Sequence, residues 1–277
     1  MQVLRSVNEL RAWRAGVERV AFVPTMGYLH EGHLELLREA RRRVPDGALA
    51  LSIFVNPTQF NDPRDLLAYP RDEAGDLAKA ASVGVDLAFC PSDASELYPP
   101  GASTWIEVEG LDRHLCGATR PGHFRGVCTI VGKLLALLRP HVAVFGEKDF
   151  QQLAIIRRMH RDLMLEGEIV GAPIVRERDG LAMSSRNARL SSAARGEALA
   201  IPQLLARVRE RFAAGERETS ELLDQAEQLL APGRVDYVSL VDAADLQPRV
   251  RVEAPALVAV AVFFGGVRLI DNTLLVP

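Results

Sequence analysis

The chain has 277 residues, with 33 Lys and Arg against 36 Asp and Glu for a formal charge of -3, and 48% of its residues are hydrophobic. Such a composition excludes a disordered chain or a disulfide-stapled miniature, and its slightly acidic balance is a poor match to a polyanion, so no nucleic-acid partner is expected. Cys90, Cys116 and Cys128 are odd in number and lack CxxC spacing, which argues against a disulfide framework or a thiolate zinc site and fits a reducing, cytoplasmic setting.

In chain order, the first residues reach Glu9 and Arg11 before any apolar signal core develops. From there to about residue 170, short β-branched runs alternate with helical periodicity, the rhythm of βαβ units. Strands are predicted at Val20 to Val23, Leu49 to Val55, Val85 to Phe89 and Val142 to Phe145. Helices are predicted at Gly32 to Arg43, Ala74 to Ser82 and Val127 to Leu138, the last with Val127, Ile130, Val131, Leu134, Leu135 and Leu138 on one face. Beyond Gly171-Ala172-Pro173 the pattern changes to two long helical segments, Ala193 to Ala213 and Ser220 to Leu230, then strands at Val235 to Val241 and Leu257 to Phe264. Gly265-Gly266 reads as a hairpin turn. The uncharged stretch Ala254 to Val267 is 14 residues, short of the roughly 18 needed to span a bilayer, so no membrane segment is expected. The fold class read from this is α/β: a Rossmann-like parallel sheet with helices on both faces over residues 1–174, and a smaller α+β domain over 175–277.

Each early strand runs into a loop of Pro, Gly, Asn or charged residues, and in an open parallel sheet such loops gather at the edge where ligands bind. The first is Pro24-Thr25-Met26-Gly27-Tyr28-Leu29-His30-Glu31-Gly32-His33. Two imidazoles three residues apart share a helical face, and the free amides of a first turn favour an anion, so the segment suits a nucleotide triphosphate. Zinc capture by HExxH is excluded, because His30 and His33 have only two residues between them. The bland alternative is a polar turn with surface histidines.

Four later segments carry weaker signals. In Gly146-Glu147-Lys148-Asp149-Phe150-Gln151-Gln152 the lysine offers a movable positive charge for phosphate and the aspartate an acceptor for ribose hydroxyls; an exposed loop with a helix-start aspartate is the alternative. Gly180-Leu181-Ala182-Met183-Ser184-Ser185-Arg186-Asn187 reads as a mobile loop donating to a triphosphate, or as a helix-capping serine pair. Arg120-Pro121-Gly122-His123-Phe124-Arg125-Gly126 lines an anionic site or forms a solvated loop, and Asn56 and Gln59 hold a hydroxylated acid or do turn chemistry.

Together, PTMGYLHEGH, NPTQF, YPRD, RPGHFRGV, GEKDFQQL and DGLAMSSRN, in this order, resemble the pantothenate synthetase family, the pantoate-β-alanine ligases of the HxGH nucleotidyltransferase superfamily. The resemblance implies condensation of pantoate with β-alanine through a pantoyl adenylate, with release of pyrophosphate and AMP. It implies ATP contacts from Met26, Gly27, Tyr28, Leu29, His30, Glu31, Gly32 and His33, with His33 as catalytic donor beside His30. Further ATP contacts are implied at Gly146, Glu147, Lys148, Asp149, Val175, Met183, Ser184, Ser185 and Arg186. Lys148, Ser184, Ser185 and Arg186 are expected to share the catalytic work. Gln59 and Gln152 are implied to hold pantoate, with Gln59 bordering β-alanine. The resemblance also implies Mg2+ with the ATP, a C-terminal lid and a homodimer. No metal ligand is identified among Asp72, Glu73 and Asp76. The competing readings are another HxGH enzyme transferring AMP or CMP to a phosphorylated alcohol, disfavoured by the uncharged Gln59 and Gln152, and a nucleotide sensor without turnover.

Overall fold

Runs almost free of charge become strands covered on both sides. In the computed structural model, which describes residues 1–277, β1 (Gln2–Leu4), β2 (Val20–Thr25), β3 (Ala48–Ile53), β4 (Leu87–Phe89), β5 (Val142–Gly146) and β6 (Glu168–Ala172) form one sheet in the order β1-β4-β3-β2-β5-β6. Every pairing in it is parallel. Between them lie α1 (Val7–Ala15), α2 (Glu31–Arg43), α3 (Pro63–Leu67), α4 (Glu73–Ser82), α5 (Leu115–Thr119), α6 (His123–Leu138) and α7 (Phe150–Asp162). Alternate residues divide between the faces: Ala21, Val23, Leu49, Leu51, Val142 and Val144 pack with Leu34, Leu37 and Ala40 of α2, while α6 packs against β2 on the other side of the sheet.

The chain leaves β2 in one direction to build β3 and β4 and in the other to build β5 and β6. β2 and β5 are therefore neighbours at the reversal of strand order, and in such sheets the carboxyl ends of the strands at that point form the ligand crevice. Met26 to His30 follow β2, and Gly146 ends β5.

Two compact units result. The first is Met1–Glu109, Arg120–Glu147 and Gln152–Pro173; the second is Gly110–Thr119, Lys148–Gln151 and Ile174–Pro277. Side-chain hydrogen bonds explain why two early segments join the second unit. The Gln151 amide donates to the Leu111 and His114 carbonyls, both at 2.8 Å, Thr119 donates to Asp236 at 3.1 Å, and Asn272 donates to the Lys148 carbonyl at 3.0 Å. A boundary drawn along the chain cannot see such insertions.

The second unit continues with α8 (Ser192–Ala198), α9 (Ala200–Ala213), α10 (Thr219–Leu222) and α11 (Ala226–Leu229), then an antiparallel sheet of β7 (Arg234–Asp242), β8 (Ala256–Phe264) and β9 (Val267–Leu275). Its core joins Ile201, Leu204, Leu205 and Val208 of α9 to Val258, Val260 and Val262 of β8. Gly265 and Gly266, at φ of 54° and 79°, make the tight β8–β9 turn, with positive φ at both central positions. No helix is long and apolar enough to cross a membrane.

Two expected helices are corrected. The segment Ala193 to Ala213 breaks at Leu199, because Pro202 has no amide to donate and is tolerated only in the first turn of a new helix. Ser220 to Leu230 splits into two single turns where Gln225 takes a left-handed φ of 58°. The expected strands and helices of the first unit appear with no end shifted by more than four residues, the largest shift being at α6, which begins at His123.

Candidate active site

The turn after β2 is built against a buried acid. Thr25 donates its hydroxyl to the Ser52 carbonyl at 2.8 Å and accepts from the Gly27 amide at 3.2 Å, bending the chain out of the strand. Gly27 has φ 81° and Tyr28 φ 52°, a left-handed conformation costing an L-residue roughly 1–2 kcal/mol. Asp76 of α4 offsets this: its carboxylate accepts from the Tyr28 amide at 2.7 Å and the Leu29 amide at 2.6 Å. Lys79, one turn on, donates to the Leu29 carbonyl at 2.8 Å. A Cβ on Gly27 would stand 2.9 Å from Asp76 Oδ2 and from Ile53 Cγ2, so only glycine fits. Burial pushes the Asp76 carboxyl above the usual range, while the Leu29 and Tyr28 amides pull it back.

That clamp delivers His30 as the N-cap of α2 and His33 in its first turn. The two rings lie 4.1 Å apart between centroids. His33 Nδ1 accepts from the His30 amide at 3.3 Å, so in this geometry the proton of the ring sits on Nε2, which is left as the donor. At the start of α2 the His33 and Leu34 amides donate to the His30 carbonyl at 2.8 and 3.2 Å, while the Glu31 and Gly32 amides have no carbonyl of a preceding helical turn to donate to. Glu31 turns back along the helix to pair with Arg38 at 2.5 Å.

Beside it in the same unit, Gln59 is buried in the loop after β3 and its Nε2 reaches Met26 Sδ at 3.1 Å. An expected acid-binding residue and an expected ATP-binding residue are thus in contact. Asn56, also buried, fixes Gln59 by donating to its Oε1 at 2.9 Å, and donates to the Gly126 carbonyl at 3.2 Å. The Tyr98 hydroxyl donates to Asn56 Oδ1 at 2.9 Å. His123 Nδ1 donates to the Gln59 carbonyl at 2.7 Å, and Arg120 does so at 3.1 Å. Gly126 is required there, since a Cβ would lie 2.4 Å from the Thr58 carbonyl oxygen. RPGHFRGV therefore holds the Gln59 loop in shape, and Arg125 lies over the Trp105 ring at 4.9 Å. Gly146, Glu147 and Gln152 also belong to this unit, at the end of β5 and the start of α7.

Lys148 and Asp149 lie in a single 3-10 turn of the second unit, with Lys148 Nζ 3.8 Å from Asp149 Oδ2. Val175 and Met183 face each other across a short hairpin: the Met183 amide donates to the Val175 carbonyl at 2.9 Å, and Gly180, φ 92°, closes the turn. Ser184 caps the 3-10 turn Ser185–Arg189 by accepting from the Arg186 amide at 3.2 Å. The helix-capping alternative is thus realised for Ser184. Ser185 is buried and Arg186 half-buried. The expected residues fall into two groups, His30, His33, Gln59 and Gln152 in the first unit and Lys148, Val175 and Met183 to Arg186 in the second.

No three His, Cys, Asp or Glu side chains are grouped to hold a metal ion. The acids left unplaced by sequence have other work: Asp72 caps α4 by accepting from the Gly75 amide at 3.0 Å, Glu73 pairs with Arg5 at 2.5 Å, and Asp76 holds the turn before His30. Sequence reasoning missed Asp76, Lys79 and Tyr98 as partners of the motifs. Each acts on a segment more than 35 residues away, and no local pattern announces such a contact.

Comparison with known proteins adds the identity of the fold. The sequence profile of the family described as Pantoate-beta-alanine ligase matches residues 2–274. A pantothenate synthetase from Anaeromyxobacter dehalogenans is 55% identical over 98% of this chain and 99% of its own, and one from Myxococcus xanthus is 51% identical over 98% and 94%. The crystal structure of pantothenate synthetase from Thermus thermophilus superposes with a TM-score of 0.93 at 46% identity, covering 99% of both chains. That of a pantoate-beta-alanine ligase from Francisella tularensis, complexed with beta-gamma ATP and beta-alanine, gives 0.82 at 32% identity, covering 99% of this chain and 97% of that one. With the paired histidines, the doubly covered parallel sheet and the antiparallel C-terminal sheet all in place, the chain belongs to the pantoate-beta-alanine ligase family and is a ligase.

Proposed function

We propose that the chain joins pantoate to β-alanine in two steps on ATP. The observation that carries the reading is the histidine pair at the start of α2, its rings 4.1 Å apart, with the amide of Gln59 against Met26 in the same unit. A pantoate carboxylate is ionised at neutral pH, since carboxyls titrate near 4, so its attack needs alignment and charge neutralisation rather than a base. A carboxylate oxygen bonds to the α-phosphorus, the bond to the bridging oxygen of the β-phosphate breaks, and pyrophosphate leaves. His33 Nε2 and His30 donate to the phosphate oxygens where charge builds, and Lys148, Ser184, Ser185 and Arg186 of the second unit neutralise the departing pyrophosphate. Backbone of Met26 to Gly32, of Gly146 to Asp149, and of Val175 and Met183 lines the nucleotide. Gln59 and Gln152 hold the pantoate hydroxyls.

β-Alanine then attacks the acyl carbon as a free amine, and AMP leaves. Its amine titrates at roughly 10, so only the deprotonated fraction reacts. Residues 175–277 act as the lid that keeps water from the mixed anhydride. Asp76 and Asp72 are engaged by backbone amides, so Mg2+ enters as part of the MgATP substrate. The ligands of the Francisella relative, the 55% identity to a pantothenate synthetase and the acidic composition support this reading over transfer to a phosphorylated alcohol or a nucleic acid. A homodimer working in the cytoplasm completes the proposal.

Isotope transfer tests the adenylate. Pantoate labelled with oxygen-18 in its carboxylate should yield AMP carrying one labelled oxygen when β-alanine and ATP are present. Label appearing in inorganic phosphate instead would point to an acyl phosphate and overturn the scheme.

A further inference from the structure

Strand β9 places two polar residues, Asp271 and Asn272, where an apolar strand would be expected, and both are buried. Alternation puts them on opposite faces. Asp271 shares the face of Val267, Leu269 and Leu275, which pack into the core beneath α9. There it binds Arg176 through two bonds, Nη1 to Oδ2 at 2.6 Å and Nη2 to Oδ1 at 3.1 Å. The same guanidinium donates to the Gly180 carbonyl at 3.0 Å, so it spans the Val175–Met183 hairpin and ties it to the strand. β9 also packs directly against the Ser185–Arg189 turn. On the other face, Asn272 Nδ2 donates to the Lys148 carbonyl at 3.0 Å. One peptide unit of β9 therefore anchors both segments that bear the second unit's proposed phosphate ligands, although those segments lie 124 and 95 residues away in sequence.

We propose that Asp271 and Asn272 are positioning residues for adenylation, holding Lys148 and the Met183–Arg186 turn at a fixed spacing. The inference rests on the functional reading above. It assigns neither residue a contact with substrate. Burying the Asp271 carboxylate against a half-buried guanidinium is a costly way to fill a core position, and the two-point geometry of the pair fixes the orientation of the hairpin as a hydrophobic pair would not. The Asn272 bond is to backbone, so it locates Lys148 without consuming its ammonium.

The test compares half-reactions. Asn272→Asp keeps the shape and removes the donor, and Asn272→Ser, which no longer reaches the Lys148 carbonyl, repeats the test without added charge should the first variant fail to fold. Pantoate-dependent exchange of labelled pyrophosphate into ATP should fall on the order of 10- to 100-fold, the scale of a small misplacement of a reacting group. KM for pantoate should be unchanged, as should the rate at which β-alanine consumes preformed enzyme-bound adenylate. Thr273→Val, on the same strand and touching Arg209 rather than either segment, should leave both half-reactions at wild-type rates. Unchanged exchange in both Asn272 variants, or equal losses in both half-reactions accompanied by a lowered Tm, would overturn the inference. Absence of pantoate-dependent exchange in the wild-type enzyme would instead overturn the functional reading, and this inference with it.

Discussion

The two units place their candidate residues by different means. In the first, topology does most of the work: Met26 to His30 follow β2 and Asn56 to Gln59 follow β3, adjacent parallel strands, so both loops emerge at one edge. A few side chains then trim the result, above all Asp76 on the Tyr28 and Leu29 amides. In the second, no strand end delivers Ser184, and Lys148, although it follows β5 by two residues, is bonded into that unit rather than the first. Long-range bonds from Asp271 and Asn272 set their places. Sites at strand ends are legible as motifs, whereas sites held by side-chain anchors depend on residues that look ordinary in sequence.

Breaking the first unit's chemistry without touching its clamp should give the largest effect. His33→Ala removes the Nε2 donor, and adenylation should slow by about 10²-fold or more, as for other lost transition-state donors. Tm should fall little, because Asp76 holds two amides of the turn and the ring only one, at a longer distance; single-turnover kinetics and a thermal melt read the two. A normal adenylation rate would remove His33 from the mechanism.

Breaking the clamp instead should cost stability as well. In Asp76→Asn one of the two buried amides faces an NH2 group and loses its acceptor, a cost of about 1–3 kcal/mol. Calorimetry should then show Tm falling by roughly 2–4 °C for each kcal/mol, with adenylation impaired because His30 follows directly on the released turn. An unchanged Tm would mean that the carboxylate does not support Tyr28 in its left-handed conformation.

A smaller effect separates orientation from charge. Gln59→Ala should raise KM for pantoate by about 10-fold or less with kcat nearly kept, the value of one neutral hydrogen bond. Asn56→Ala, which frees Gln59 Oε1, should reproduce much of that shift. Unaltered pantoate saturation in both would contradict a substrate role for the loop. Smallest of all, Cys90, whose thiol burial pushes up to about 11, should resist iodoacetamide in the native enzyme at about pH 8 and react once the chain is unfolded.

Much of this was readable from residues, for physical reasons. β2, β3 and β5 announce themselves because strands buried on both faces carry no charge. β1 and β6 do not, since a three-residue edge strand and a segment with Glu168 and Gly171 lack that signature. α1 went unpredicted although Ser6 and Glu9 form a capping box, a local signal that can be read in any sequence. Pro202 likewise marked the break before α9. By contrast, the insertion of Gly110–Thr119 and Lys148–Gln151 into the second unit depends on Gln151, Thr119 and Asn272 finding partners far along the chain. Asp76 is the clearest case: adjacent acids at 72, 73 and 76 are equivalent in composition, and only the fold assigns one to the cap, one to Arg5 and one to the histidine turn.

In the proposed function, the histidine turn and the Lys148 and Ser184–Arg186 segments serve a single carboxylate-activation step. Exchange of labelled pyrophosphate into ATP measures that step alone. With the full chain, ATP and pantoate, exchange should proceed without β-alanine and stop when pantoate is withheld. Exchange that requires β-alanine, or that runs equally well without pantoate, would contradict it.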